Sequence, residues 1–309
     1  MAHAWFGTGP DGIDDWRFAS VEVPAPGPGE VTIRVHAAGM NPADAKFSSR
    51  PVGADPARIG YEVSGELTAI GPDTEISSGA AAVGDDVLAF RVSGGYATEL
   101  AVPASKVFHK PATLTHPEAA NLLLAGTTAA ELVDRSGAVA GDTILLHGAS
   151  GGVGVSVLQQ AAALGIRVVG TASAANADAV RRYGGIPIAY GDGLEQRATD
   201  AAGAPFVAAL DAVGTDEAIA VSLALVADPA RIITIVRADR VEPDGIVMIG
   251  GMKKSSAEFR DAARPRIVEL AARGLLTVPV ARTFPLADAQ EAARLLMTGH
   301  AGGNLALLP

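Results

Sequence analysis

His147-Gly148-Ala149-Ser150-Gly151-Gly152-Val153-Gly154 follows a short apolar run, Thr143-Ile144-Leu145-Leu146, and precedes the segment Val155 to Leu164. The run reads as a buried strand and the segment as a helix, so the glycines form the turn between them. This strand–turn–helix context converts a glycine pattern, here Ala149-x-Gly151-x-x-Gly154, into a dinucleotide site. One glycine allows a sharp turn, another lets a pyrophosphate approach the main chain, and a third lets the helix pack closely on the strand. The first helical turn then offers unpaired N–H groups and a positive dipole end to phosphates. Ala149, Ser150, Gly151, Gly152, Val153 and Gly154 are the candidate cofactor-binding residues of this turn.

The next strand, Ile166 to Thr171, sharpens the reading. Sites for the non-phosphorylated dinucleotide place Asp or Glu at the end of this strand, on the ribose 2′-hydroxyl. Here the strand runs into Thr171-Ala172-Ser173 with no acid. A 2′-phosphate needs donors and positive charge, and a carboxylate would repel it. NADPH is therefore expected over NADH, with Ser173 as a direct hydroxyl contact. Arg181 and Arg182 either add charge there or form the exposed face of the helix from Asn176 to Tyr183.

The 309 residues suffice for two domains and a large core, and 49% of them are hydrophobic, which marks a globular chain. A net charge of −10 argues against nucleic acid and anionic membrane surfaces as partners. No basic N-terminus with an apolar signal core is present, and no run approaches the ~20 apolar residues of a membrane span. A soluble cytoplasmic protein acting on a small molecule is expected. Cysteine is absent, which excludes disulfides, thiolate zinc sites and a cysteine nucleophile.

Residues 1–117 carry short strands, Val31–Ala37, Gly65–Gly71, Asp86–Phe90 and Tyr96–Val102, separated by Gly/Pro turns. That punctuation predicts a small β-barrel-like unit. From 118 to 254 strands and Ala-rich helices alternate, with further strands at Ile186–Tyr190, Phe206–Leu210, Arg231–Val236 and Ile246–Ile249. Alternation of this kind predicts a doubly wound parallel sheet, an α/β class fold. Residues 255–309 are expected to return to the first domain through a helix at Ala257–Arg273, a strand at Leu276–Ala281, a helix at Pro285–Gly299 and a closing strand at Leu305–Leu308.

Five segments together resemble the zinc-independent medium-chain dehydrogenase/reductases of the quinone oxidoreductase branch. They are Ala38-Gly39-Met40-Asn41-Pro42-Ala43-Asp44, Ile59-Gly60-Tyr61-Glu62-Val63-Ser64-Gly65, Gly95-Tyr96-Ala97-Thr98-Glu99, Leu124-Ala125-Gly126-Thr127-Thr128-Ala129, and the His147–Gly154 run. The resemblance implies a GroES-like catalytic domain, a Rossmann domain, NADPH as cofactor and a homodimer. Zinc-dependent alcohol dehydrogenases of the same superfamily hold their metal with Cys, His and Cys; Asn41, Tyr61 and Leu124 stand at the matching positions here. No catalytic or structural zinc is expected, and reduction of a conjugated carbonyl is expected in place of alcohol oxidation.

Asn41, Tyr61 and Asp44 form the expected catalytic set. The Asn41 amide would face the nicotinamide ribose and the substrate oxygen; Asn before Pro also suits a helix cap. Tyr61 would donate to a developing enolate, or would wall the substrate pocket. Asp44 would orient the Asn41 loop or start the following helix. Thr127 would contact the cofactor, and Thr127 and Thr128 could instead cap a helix running from about Thr128 to Ser136. Val213 and Val236 follow parallel strands whose carboxyl ends line a cofactor crevice. Tyr190 ends the third strand of this section, where the resemblance implies a tyrosine contacting phosphate or adenine. His147 reads as a satisfied buried histidine, His36 and His109 as structural, and Tyr96 as packing. Asn304 replaces the Lys or Arg that many relatives place near the 2′-phosphate. Loop residues Phe47–Asp55 would shape the substrate pocket.

The leading expectation is an NADPH-dependent quinone or enone reductase. An enoyl-thioester reductase is the enzymatic alternative, since Leu145–Gly154 also resembles polyketide-synthase enoyl reductase domains. Lys46-Phe47-Ser48-Ser49-Arg50 lacks the tyrosine those domains often carry there. A non-catalytic NADPH-binding redox sensor is the third.

Overall fold

The chain begins with a hairpin of β1 (Ala2–Gly7) and β2 (Trp16–Val21), then a long strand, β3 (Glu30–Met40), and a short helix, α1 (Pro42–Phe47). β4 (Ala57–Arg58), β5 (Glu62–Ile70), β6 (Asp86–Phe90), β7 (Glu99–Pro103) and β8 (Val107–His109) follow, then α2 (His116–Ala119) and α3 (Leu123–Ser136). The alternating section runs β9 (Thr143–His147), α4 (Gly152–Ala163), β10 (Arg167–Ala172), α5 (Ala177–Arg182), β11 (Ile186–Ala189), α6 (Leu194–Ala202), β12 (Phe206–Asp211), α7 (Asp216–Leu225), β13 (Ile232–Thr234), α8 (Val241–Asp244) and β14 (Val247–Met248). α9 (Lys254–Ala272), β15 (Val280–Pro285), α10 (Ala289–Met297) and β16 (Asn304–Leu308) complete the chain. The computed structural model describes residues 1–48, 56–251, 253–299 and 302–309. Most of the loop assigned to the substrate pocket, residues 49–55, lies outside the described residues.

Two units result: Met1–Leu124 with Pro265–Pro309, and Ala125–Arg264. In the first, β15-β16-β3-β5-β6-β8 form one sheet, which β7 joins by pairing with β3. A three-stranded sheet, β2-β1-β4, accompanies it. The final strand β16 lies antiparallel to β3, with Ala306 opposite Gly39. The core combines Val31, Ile33, Val63, Leu67, Val87 and Val107 with Leu286, Ala289, Leu305 and Leu307 from the chain's end.

The second unit is a fully parallel sheet in the order β11-β10-β9-β12-β13-β14. Numbered from β9, this is 3-2-1-4-5-6, the doubly wound order with its reversal between the first and fourth strands. Helices cover such a sheet on both faces, so its strands are continuous apolar runs; all five residues of β9 are buried. Val247–Met248 ends the sheet as an edge strand. No helix among the described residues is long and apolar enough to cross a membrane.

Several elements depart from the sequence expectation. The β1–β2 hairpin carries no clean apolar alternation, because β2 exposes nearly every residue after Trp16. α3 begins at Leu123, so Thr127 and Thr128 lie inside it, fully or almost fully buried, and not at its N-terminus. Burial overrides the weak helix propensity of Gly126-Thr127-Thr128. The segment Tyr96–Thr98 is irregular, and its strand starts at Glu99. The strand expected at Leu276–Ala281 lies at Val280–Pro285; Leu276 and Val278 are buried without being part of it.

Gly154 brings α4 against the turn. A Cβ there would lie 2.1 Å from Gly148 O and 2.8 Å from the Ala149 backbone, and neither atom can move away as a side chain could. We expect Gly154→Ala to lose about 1–3 kcal/mol of stability, as overpacked positions do, measured by urea unfolding. An unchanged midpoint would show that the contact is not required.

Candidate functional site

In the first unit, Asn41 ends β3 in extended conformation and starts α1, with Pro42 at the first helical position. Its backbone N–H donates to Asp44 Oδ2 at 2.6 Å. The expected capping position and the expected functional position are thus the same residue. The Asn41 side-chain Nδ2 donates to Glu62 Oε1 at 2.8 Å. Glu62 Oε2 accepts the Leu124 backbone N–H at 2.9 Å. Tyr96, fully buried and edge-on to Trp16, donates its hydroxyl to Asp44 Oδ2 at 3.0 Å. Two carboxylates, one amide and one phenol therefore form one connected group. Tyr61 directly precedes Glu62 and is half-buried.

Burial dominates the electrostatics of this group. It pushes the Glu62 carboxyl up to about 8, against hydrogen bonds from Asn41 and Leu124 that pull it down. It pushes Asp44 up to about 7, against hydrogen bonds from Asn41 and Tyr96. Glu62 thus carries a proton across most of the neutral range, next to the Asn41 amide. Sequence reading placed Asn41 and Asp44 here but treated Tyr96 as packing and left Glu62 outside the catalytic set. Tyr96 follows a Gly-Gly pair with no polar pattern, and nothing local signals a partner 52 positions away.

In the second unit, the glycine turn is tied to β10. Thr171 Oγ1 accepts the Gly148 N–H at 3.1 Å, and Thr171 O accepts the Ala149 N–H at 3.0 Å. Gly151 occupies the N-cap of α4 and supplies no side-chain cap. The amides of the first helical turn, from Gly152 to Gly154, therefore keep no intrahelical acceptor. A Cβ at Gly151 would meet nothing closer than 3.5 Å. Twelve residues of helix stand behind them. This donor set suits a pyrophosphate.

The neighbouring strand ends complete the cradle. Gly148, at φ +83°, packs so close to Val213 that a Cβ would lie 2.7 Å from its Cγ2. Gly214, at φ +82°, stands likewise against Val236. Buried Asp211 accepts the N–H groups of Val213 and Gly214 at 3.0 and 2.8 Å, and Thr234 Oγ1 donates to its other oxygen at 2.7 Å. Thr234 Oγ1 in turn accepts the Val236 and Arg237 amides. Gly148, Val213 and Val236 are thus gathered at one edge. Ser173 follows β10, and Asn176 Nδ2 donates to Ser150 Oγ at 3.4 Å. No acid stands between Ala172 and Ala177. Tyr190 is largely exposed beyond β11.

Other candidates fall to local partners. Arg181 pairs with Asp178, and Arg237 with Asp216 and Asp239. His147 is buried, and burial lowers its pKa to about 4, so it is neutral. Its Nε2–H donates to Ser222 Oγ at 3.1 Å, because the Ser222 hydroxyl already donates to Ala218 O. Asn304 is buried on β16 and donates to Pro279 O.

Comparison with known proteins agrees with this architecture. The family described as alcohol dehydrogenase GroES-like domain matches residues 27–112, and that described as zinc-binding dehydrogenase matches 188–307. NorB of Streptomyces orinoci, a spectinabilin polyketide synthase system protein, is 31% identical over 329 residues, covering 96% of this chain and 15% of that protein. Quinone oxidoreductase of Rattus norvegicus is 39% identical over 160 residues, covering 50% of this chain and 47% of that one. The chain thus spans less than half the length of these curated relatives. The structure of mycobacterial Rv1454c complexed with NADPH matches at 29% identity and a TM-score of 0.83, with all of both chains covered. On this combination of glycine turn, 3-2-1-4-5-6 parallel sheet and GroES-like unit, the chain belongs to the medium-chain dehydrogenase/reductases, in their quinone oxidoreductase-like branch.

Proposed function

We propose that this protein is an NADPH-dependent oxidoreductase that reduces quinones or conjugated enones and alkenals without zinc. The observation that carries the reading is the uncapped amide turn of α4 beside β10, which is followed by Ser173 and no acid. The amides from Gly152 to Gly154 bind the pyrophosphate, Ser173 and Asn176 face the adenosine 2′-phosphate, and the Val213 and Val236 turns line the cofactor. When bound, NADPH supplies a hydride to an electrophilic carbon of the substrate.

Charge then develops on the substrate oxygen, and the chain's residues stabilise it there. The Asn41 amide, oriented by Glu62, and the Tyr61 phenol donate hydrogen bonds to that oxygen. Asp44 and Tyr96 hold the loop that presents Asn41. A delocalised enolate or quinol oxygen needs no Lewis acid. Zinc would find poor ligands at the matching positions: Leu124 has no donor atom in its side chain, and Asn41 offers a neutral amide in place of a thiolate.

Enoyl-thioester reduction is the second reading. It is favoured by the match to a polyketide synthase system protein, which covers 96% of the chain, whereas the rat quinone oxidoreductase match covers 50%. The same hydride and oxyanion chemistry serves both substrates. Steady-state NADPH oxidation with quinones, alkenals, enones and enoyl-thioesters separates them, and no oxidation with any of them would leave the sensor reading.

NADPH should bind much more tightly than NADH in fluorescence titrations, and Ser173→Asp should weaken NADPH binding at least tenfold while changing NADH binding far less. Equal affinities in the wild-type chain would overturn the cofactor assignment.

Asn41→Ala should lower kcat by about two to three powers of ten with NADPH affinity nearly intact, the loss expected for one oxyanion donor. Tyr61→Phe should fall in the same direction if the phenol donates, and turnover by the wild type should survive a strong chelator. Full activity in both variants would remove this site from the chemistry.

Glu62 holds its proton to higher pH in the folded chain than in the unfolded one. Between about pH 4.5 and 8 the native state therefore binds more protons, and stability falls as pH rises across that window. Glu62→Gln should flatten this slope, an effect on the order of a few kcal/mol over the window. An unaltered slope in urea unfolding at pH 5, 6.5 and 8 would show that Glu62 titrates normally.

A further inference from the structure

Three side chains from separate elements of the first unit converge: His36 on β3, Asp86 at the start of β6 and His116 in the first turn of α2. One nitrogen or oxygen from each lies within 4.8 Å of the other two. His36 Nδ1 is 3.1 Å from His116 Nε2, and His116 Nε2 is 3.4 Å from Asp86 Oδ1. None of the three has a part in the proposed reduction. The sequence suggested only a structural histidine at 36.

The surrounding bonds determine which nitrogen of His116 is bare. The Ser64 hydroxyl donates to Val87 O at 2.9 Å. Its oxygen is therefore left to accept from His116 Nδ1–H, also at 2.9 Å. With the proton on Nδ1, the Nε2 lone pair points toward His36 and the Asp86 carboxylate. That lone pair can accept the His36 Nδ1–H at 3.1 Å or, with the His36 proton on Nε2, be turned with His36 Nδ1 and Asp86 onto one cation. Lys110 stands 3.6 Å from the other carboxylate oxygen, Oδ2. Glu66 Oε2 lies 4.0 Å from His36 Nε2, beyond hydrogen-bond reach, so a ligand role for His36 Nδ1 requires its proton on Nε2. His116, held by Ser64 at its second nitrogen, has the anchoring typical of metal-bound imidazoles.

The spacing fits a small cation. Ligands at 2.0–2.1 Å on a tetrahedral ion are separated by about 3.3 Å. The His36–His116 and His116–Asp86 edges, 3.1 and 3.4 Å, bracket that value. Asp86 has a half-exposed side chain that can close the third edge by rotation. Two imidazoles with one carboxylate suit Zn²⁺, Co²⁺ or Ni²⁺ and do not suit Mg²⁺ or Ca²⁺, which prefer all-oxygen sets.

We propose that His36, His116 and Asp86 form a binding site for one divalent transition-metal ion of the zinc class, with its remaining positions open to water. The ion would pin β3, β6 and α2 together. The site shares no residue with the Asn41–Asp44–Glu62–Tyr96 group, so its metal is not a Lewis acid for the proposed reduction.

The test uses untagged full-length protein stripped with EDTA and then dialysed. Calorimetric titration with ZnCl₂ should show one ion per chain with micromolar or tighter affinity, and CoCl₂ should give visible d–d absorption. His36→Gln, His116→Gln and Asp86→Asn should each weaken binding at least tenfold. His109→Gln, in the separate exposed pair with Asp85, should leave it unchanged. Without any substitution, ZnCl₂ should also protect His36 and His116 from diethylpyrocarbonate, read by peptide mass spectrometry. No stoichiometric binding, binding indifferent to all three substitutions, or protection confined to other histidines would each overturn the proposal.

Discussion

Asp44 and Glu62 are buried carboxyls whose hydrogen bonds come from amides and a phenol, and that constraint organises the first unit. A buried acid costs several kcal/mol unless donors surround it or it keeps its proton. Both solutions are visible here. Donors come from the Asn41 backbone, the Asn41 side chain, the Tyr96 hydroxyl and the Leu124 backbone. The start of α1, the loop around Tyr96 and the first turn of α3 are each held by one of these bonds. Where donors fall short, the proton affinity rises, to about 7 for Asp44 and about 8 for Glu62. The same demand that fixes the backbone thus leaves a proton beside the amide proposed to face substrate.

The second unit solves a different problem with the same tools. A pyrophosphate site must keep donors bare in the absence of ligand, so the structure around them has to be self-sufficient. Thr171 anchors the turn from below, and buried Asp211 organises the ends of β12 and β13 through three hydrogen bonds. Gly151 at the N-cap withholds the side-chain oxygen that Ser or Asp would contribute there. Rigid supports around unpaired amides lower the ordering cost when an anion arrives.

Polar groups at the surface of the first unit follow a related logic. His116 receives its tautomer from Ser64, and Ser64 receives its own orientation from the carbonyl of Val87. A chain of this kind defines where a lone pair points. Such definition is the property that separates a ligand set from histidines that are merely near each other.

Local patterns determined the second unit almost entirely. The apolar run of β9, the glycines after it and the alternation of strands and helices imply the parallel sheet, since a buried parallel strand and a tight phosphate turn leave direct marks on composition. The absence of an acid after β10 was equally readable. Tertiary structure decided the rest. Exposed β2 carries no alternation, α3 continues through a Gly-Thr-Thr stretch because burial outweighs propensity, and β15 takes its position from pairing with β16. Partners such as Tyr96 and Asp44, or His36, Asp86 and His116, are separated by 30 to 80 positions along the chain. Sequence spacing cannot encode contacts of that range, because they arise only when antiparallel strands fix register and bring remote side chains to the same face.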